Sequence, residues 1–112
     1  MTKTDIFKNA GIEKMANGAL RIELTEKIDY ENFEDFAKLF LKIIPAKVID
    51  KIVAVNIIMW RLKINNKLFY LVFDDYPVMM SLEPIDNNLD NEILRIFNLL
   101  KNIKPQQIKT TI

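Results

Sequence analysis

Apolar and polar positions alternate most regularly between Ile57 and Glu83, and the rest of the chain is arranged around that stretch. The segments IIMWRLKI, NN, KLFYLVF, DDYP and VMMSLE read as consecutive strands joined by tight turns. Ile58, Trp60, Leu62 and Ile64 share one side of the first strand, and Arg61 and Lys63 share the other. That period of two is the mark of a half-buried strand. Leu68 to Phe73 is apolar on both sides, which predicts the most covered strand of the sheet.

Upstream, Leu20, Ile22 and Leu24 alternate with Arg21, Glu23 and Thr25, giving another strand with one wet face. The period then lengthens. Phe33, Phe36, Ala37, Phe40, Leu41 and Ile44 follow the spacing of one buried helix face. Asp29 stands where an N-cap belongs, and Pro45 cannot continue the helix. Its acids lie early and its lysines late, which suits the helix dipole. Lys47 to Val55 is a β-branched run, with Asn56 as the turn residue before the next strand. After the turn-rich Pro84–Asn88 segment, Asp86 or Asn88 is placed to cap a last helix. Its stripe is Leu89, Ile93, Ile96, Phe97 and Leu100, and Pro105 ends it.

Residues 1–18 leave two readings open: an arm holding a short helix capped by Asp5 and stopped at Gly11, or a short strand, Ile12 to Ala16. The Asn17-Gly18 dipeptide favours a type I′ turn and would join that strand to the next. Residues 103–112 read as a tail. The expected architecture is one α+β domain over residues 1–112, in the order strand, helix, four strands, helix. Its mainly antiparallel sheet has about five strands, with both helices packed on one face. The crossover through the first helix is right-handed if its flanking strands pair in parallel.

Composition narrows the function classes. The 112 residues are 50% hydrophobic and 28% charged, enough for a folded core and unlike a disordered chain. No apolar run approaches a membrane span and the first residues lack a secretory h-region, so a cytoplasmic protein without a membrane partner is expected. Cysteine and histidine are absent and Ser81 is the sole serine. A nucleophile–base pair and a thiolate or imidazole metal site therefore lack their parts. Asp74 and Asp75 are adjacent at a strand end and point apart, which suits a turn better than an acid/base pair. Gly11 and Gly18 are the only glycines and make no phosphate loop. We therefore expect no enzyme activity, catalytic residue, cofactor or metal. KLFYLVF lacks the glycines of an RNA-recognition strand, and a net charge of +1 without a basic stripe argues against nucleic acid.

Charge placement says more than charge total. Twelve of the fifteen acids fall within residues 23–35 and 74–92, against one lysine, Lys27. Alternating strand directions bring Asp74 and Asp75 to the end of the sheet that also carries Glu26, Asp29 and Glu31. Service at helix N-termini explains about half of these acids. The remainder form an acidic rim suited to a basic partner.

The ENFEDFAKLF helix, the lone Trp60, FDDYP, SLEP and the closing ILRIFNLL helix give the chain a further likeness. It resembles small α+β bacterial immunity proteins that protect against contact-delivered toxins, including those of contact-dependent growth inhibition. It is also similar to a small gammaproteobacterial family with a strand–helix–meander–helix plan. The first resemblance implies a non-catalytic binder of one cognate toxin, often a nuclease with a basic active site, and carries no site residues over. From the residues themselves, the candidate partner-binding set is Asp74, Asp75 and Tyr76 in the turn, supported by Glu26, Asp29 and Glu31. An exposed tyrosine beside acids anchors an interface at low entropic cost; packing on Pro77 is its plainer role. The alternative is a homodimer or larger homo-oligomer of structural or accessory role, joined through a sheet edge or face.

Overall fold

The computed structural model describes residues 7–102. Its elements are β1 (Gly11–Lys14), β2 (Leu20–Thr25), α1 (Phe33–Ile43), β3 (Lys47–Val53), β4 (Ile57–Ile64), β5 (Lys67–Asp75), β6 (Val78–Pro84) and α2 (Asp90–Lys101). The strands form one antiparallel sheet in the order β1-β2-β6-β5-β4-β3. The α+β class and the two helices agree with the sequence pattern, but the sheet has six strands where about five were expected. The added strand is β1, which forms the hairpin alternative: Met15 N–H donates to the Ala19 carbonyl at 2.8 Å around a Gly18 at φ 89°. Only Ile12 of β1 packs on the core, so its apolar signal is a single residue. The expected helix near Asp5 falls partly outside the described residues; within them, Phe7 to Asn9 form one turn. The tail and Pro105 also lie outside them.

The three-strand stretch folds as the alternation dictates. Ile58, Trp60 and Leu62 stand opposite Phe73, Leu71 and Phe69. Leu71 and Phe73 in turn face Leu82 and Met80 across the β5–β6 pairing. The β4–β5 turn is made by Asn65 and Asn66 at φ 53° and 66°, the left-handed pair a two-residue hairpin of matching twist requires. Asn tolerates that region better than residues with a branched Cβ.

Both helices cover the same side of this sheet. Phe33, Ala37 and Phe40 of α1 and Ile93, Ile96 and Leu100 of α2 join one core with Ile22, Leu24, Trp60, Leu71 and Leu82. Trp60 is 4% exposed and meets Phe33 edge-to-face, with ring centres 5.7 Å apart. Phe36 and Phe97, expected on the buried faces of the two helices, are only partly buried at the margin of this core. Directions alternate across the sheet, so β2 and β3 run the same way but are separated by β6, β5 and β4. The condition for a paired parallel crossover is therefore not met; α1 carries the chain from one half of the sheet to its far edge.

Two helix starts differ from expectation. The Asp29 carboxylate accepts from Asn32 N–H and the Asn32 side chain accepts from Asp29 N–H, both at 2.8 Å. These reciprocal bonds have the logic of a capping box, but they close a turn ahead of a helix that begins at Phe33. At α2, Leu89 occupies the cap position and no side chain caps the helix. Asp90 instead accepts from Leu20 N–H at 3.0 Å, tying the helix start to β2.

Candidate functional site

The register fixes which loops share an end of the sheet. Asp75 is opposite Val78 at the β5–β6 turn, and Asp74 is opposite Ile57 at the start of β4. Thr25, at the end of β2, pairs with Met80 near the start of β6. Asp75 N–H donates to the Asn56 carbonyl at 3.3 Å, and the Tyr30 ring lies 6.3 Å from that of Phe73. The Glu26–Glu31 loop, the β3–β4 turn and the β5–β6 turn therefore lie at one end, as strand direction predicted.

The candidate residues divide by what their side chains already do. Asp74 is half-buried and accepts from Tyr76 N–H at 3.0 Å, an Asx turn that shapes the hairpin. Asp29 is engaged by Asn32. Both carboxylates hold their loops in place. Glu26, Glu31 and Asp75 are exposed, and no ion pair among the described residues involves them. Tyr76 is 89% exposed at the tip of the turn. Adjacent Asp74 and Asp75 take opposite sides of the strand, so they do not act as a pair on one substrate atom.

Beside this end a groove of about 480 Å³ runs between the start of α1 and the β3–β4 hairpin. Phe33, Val53, Ile58 and Trp60 supply its apolar walls, and Glu31 and Glu34 its acidic rim. Lys51 lies across the Trp60 ring, with Nζ 4.2 Å from its centre. One wall of the groove is β3, whose residues other than Val48 are exposed.

The side of the sheet away from the helices carries polar residues that the sequence pattern marked only as wet. Arg21 on β2 bonds Glu23 at 2.8 Å and Glu83 on β6 at 3.1 Å, and Ser81 also donates to Glu83 at 3.1 Å. Burial works against the Arg21 charge, but hydrogen bonds and attraction from Glu23 and Glu83 outweigh it and raise its pKa. The guanidinium thus stays charged throughout the neutral range. Arg61 pairs with Asp50 of β3 at 2.6 Å. Arg21–Glu83 and Arg61–Asp50 are cross-strand pairs that fix register on a partly solvated face, while Arg21–Glu23 and Ser81–Glu83 lie within β2 and β6. The Arg21–Glu83 contact joins residues far apart in sequence and depends on β2 lying beside β6, which local alternation does not encode.

Among the described residues no group of three or more carboxylates is gathered to hold a metal ion, and no described helix is long and apolar enough to cross a membrane. Chemically, the end of the sheet offers carboxylates, an exposed phenol and an adjoining groove with aromatic walls. No curated protein and no solved structure matches the chain. A family model does match, over residues 10–101, from just before β1 to the end of α2; the chain belongs to the DUF3630 family, proteins of unknown function.

Proposed function

We propose that the protein is a non-catalytic binding module of the cytoplasm, an immunity protein that neutralises one cognate basic toxin by covering its active site or substrate surface. The observation that carries this reading is the convergence of exposed Glu26, Glu31, Asp75 and Tyr76 at one end of the sheet. Asp29 and Asp74 contribute negative potential there while holding the two loops in shape. Such a rim steers a basic partner and selects its orientation, and Tyr76 supplies the apolar anchor. Neither nucleic acid nor membrane is the partner in this reading.

The test is to look for a toxin gene beside this one and to co-express its product with this chain. Growth rescue and isolation of a stoichiometric complex support the proposal, and Glu26→Lys with Asp75→Lys abolishes rescue while leaving the fold unchanged. Rescue and binding that survive in this double variant would place the toxin contact elsewhere. A neighbourhood encoding no toxin would favour the homo-oligomeric alternative.

A further inference from the structure

The two edges of the sheet are treated differently. At β1 the strand has four residues, and Lys101 of α2 donates to the Lys8 and Ala10 carbonyls just before it, at 2.5 and 3.3 Å. At β3 a longer edge is left without a neighbour among the described residues. Ile49, Ile52, Val53 and Val55 are all exposed on this hairpin, Val53 at 62%. An apolar edge with unpaired backbone groups is a template for another strand.

We propose that β3 pairs antiparallel with β3 of a second copy of this chain, with Ile52 on the two-fold axis. The register follows from which backbone groups are free. Ala54 N–H donates to the Ile57 carbonyl at 2.9 Å, so Ala54 turns its backbone groups towards β4. Alternation then turns those of Ile52 inward and those of Lys51 and Val53 outward. The register shift between Val48 and Asp50 interrupts this order, so pairing is confined to the segment after it. Centring on Ile52 sets Lys51 of each copy opposite Val53 of the other, and the four outward residues of the dimer exchange four hydrogen bonds. Centring on Lys51 would bring two ammonium groups face to face. Centring on Val53 would match Lys51 with Val55, which lies beyond the end of the strand.

Side chains fit the same register. Ile52 pairs with Met59 on the helix-free side, so the two copies of Ile52 meet there as an apolar pair. Lys51 and Val53 lie on the helix side, where both line the groove. Lys51 of one copy therefore arrives beside Val53 of the other, at the mouth of a groove edged by that copy's Glu31 and Glu34. With Lys51 turned away from its own Trp60 ring, opposite charges face each other across the interface in both directions. The contact is small, so association is reversible and concentration-dependent.

Sedimentation of the full chain across a dilution series, with amide exchange by NMR at the highest concentration, tests this directly. The expected result is a shift from 13.1 kDa towards twice that mass. With it, the Lys51 and Val53 amides become protected as concentration rises, while the Ile52 amide is protected throughout by β4. Val53→Pro removes an outward N–H without touching the β3–β4 ladder, a place where an edge strand tolerates proline. It raises the dissociation constant about tenfold or more, because each dimer loses two hydrogen bonds. Ile52→Lys, folded as judged by the Trp60 near-ultraviolet signal, does the same by setting like charges on the axis. A monomer at every concentration, or a dimer that neither variant weakens, overturns the proposal. So does association in which the Lys51 and Val53 amides stay unprotected, whether or not a toxin partner is found.

Discussion

Removing the Trp60 side chain tests the core from which the rest of the fold follows. The ring is 4% exposed, lies edge-to-face on Phe33 at 5.7 Å and is overlaid by Lys51. A buried aromatic of this size removes about 150–250 Å² from water, about 4–6 kcal/mol at about 25 cal/mol per Å². The edge-to-face contact adds about 0.5–1.5 kcal/mol. Two features reduce the total for Trp60→Ala. The retained methyl keeps part of the burial, and the vacated space opens into the adjoining groove instead of forming a sealed cavity. The expected loss is about 3–5 kcal/mol, with about 1–2 kcal/mol for Trp60→Phe. Urea unfolding followed by far-ultraviolet circular dichroism reads it without relying on the deleted fluorophore. With a slope of about 1.5 kcal/mol/M, the alanine variant's midpoint falls by about 2 M or more. A loss below about 1 kcal/mol would refute the placement of Trp60 in the core and make it part of a binding surface.

Three further outcomes are expected. Asn66→Val forces a β-branched residue into the left-handed region at φ 66° and costs about 1–2 kcal/mol by the same unfolding assay, whereas Asn66→Gly is neutral or slightly stabilising. Asp29→Ala breaks one of the reciprocal bonds ahead of α1 and costs about 1 kcal/mol, with faster amide exchange at Asn32. Tyr76→Ala changes stability by less than about 0.5 kcal/mol, yet weakens the proposed toxin complex about tenfold or more in a binding titration, as loss of an interface anchor does.

Periodicity located α1, α2, β2 and β4 because each has one buried face. Phe33, Phe40, Ile93 and Ile96 occur at helical spacing, and all are core residues. Exposure of β3 was not legible. Val48, Ile49, Ile52 and Val53 spell a buried strand, yet β3 is an edge whose residues other than Val48 are exposed. Strand order is a tertiary property, so β-branched content alone does not separate an edge from a centre. The start of α1 was misplaced for a local reason. Asp29 satisfies Asn32 N–H as a cap would, but the turn it closes precedes the helix. The gathering of Glu26, Glu31 and Asp75 at one end was legible, because it needs only alternating strand directions. That Asp74 is held by Tyr76 N–H was not, since the backbone of the turn decides it. This difference also selects the substitutions. Asp74→Lys would disturb the hairpin, whereas Glu26 and Asp75 are exposed and free to be reversed.

Reversing those two charges and titrating against any toxin encoded beside this gene, at low and high salt, is the most direct measurement of the proposed binding rim. Opposed charges at an interface set the association rate and are screened within about 10 Å at 0.1 M salt. The parent chain is expected to bind tightly at low salt and to weaken as salt rises. Glu26→Lys with Asp75→Lys is expected to bind far more weakly at low salt, mainly through slower association, and to show a flatter salt dependence. Its unfolding midpoint is expected to match that of the parent. Equal affinities and equal salt dependence in the two proteins would contradict the rim as the toxin-binding surface and direct the search to the helix-free face around Arg61 and Lys63.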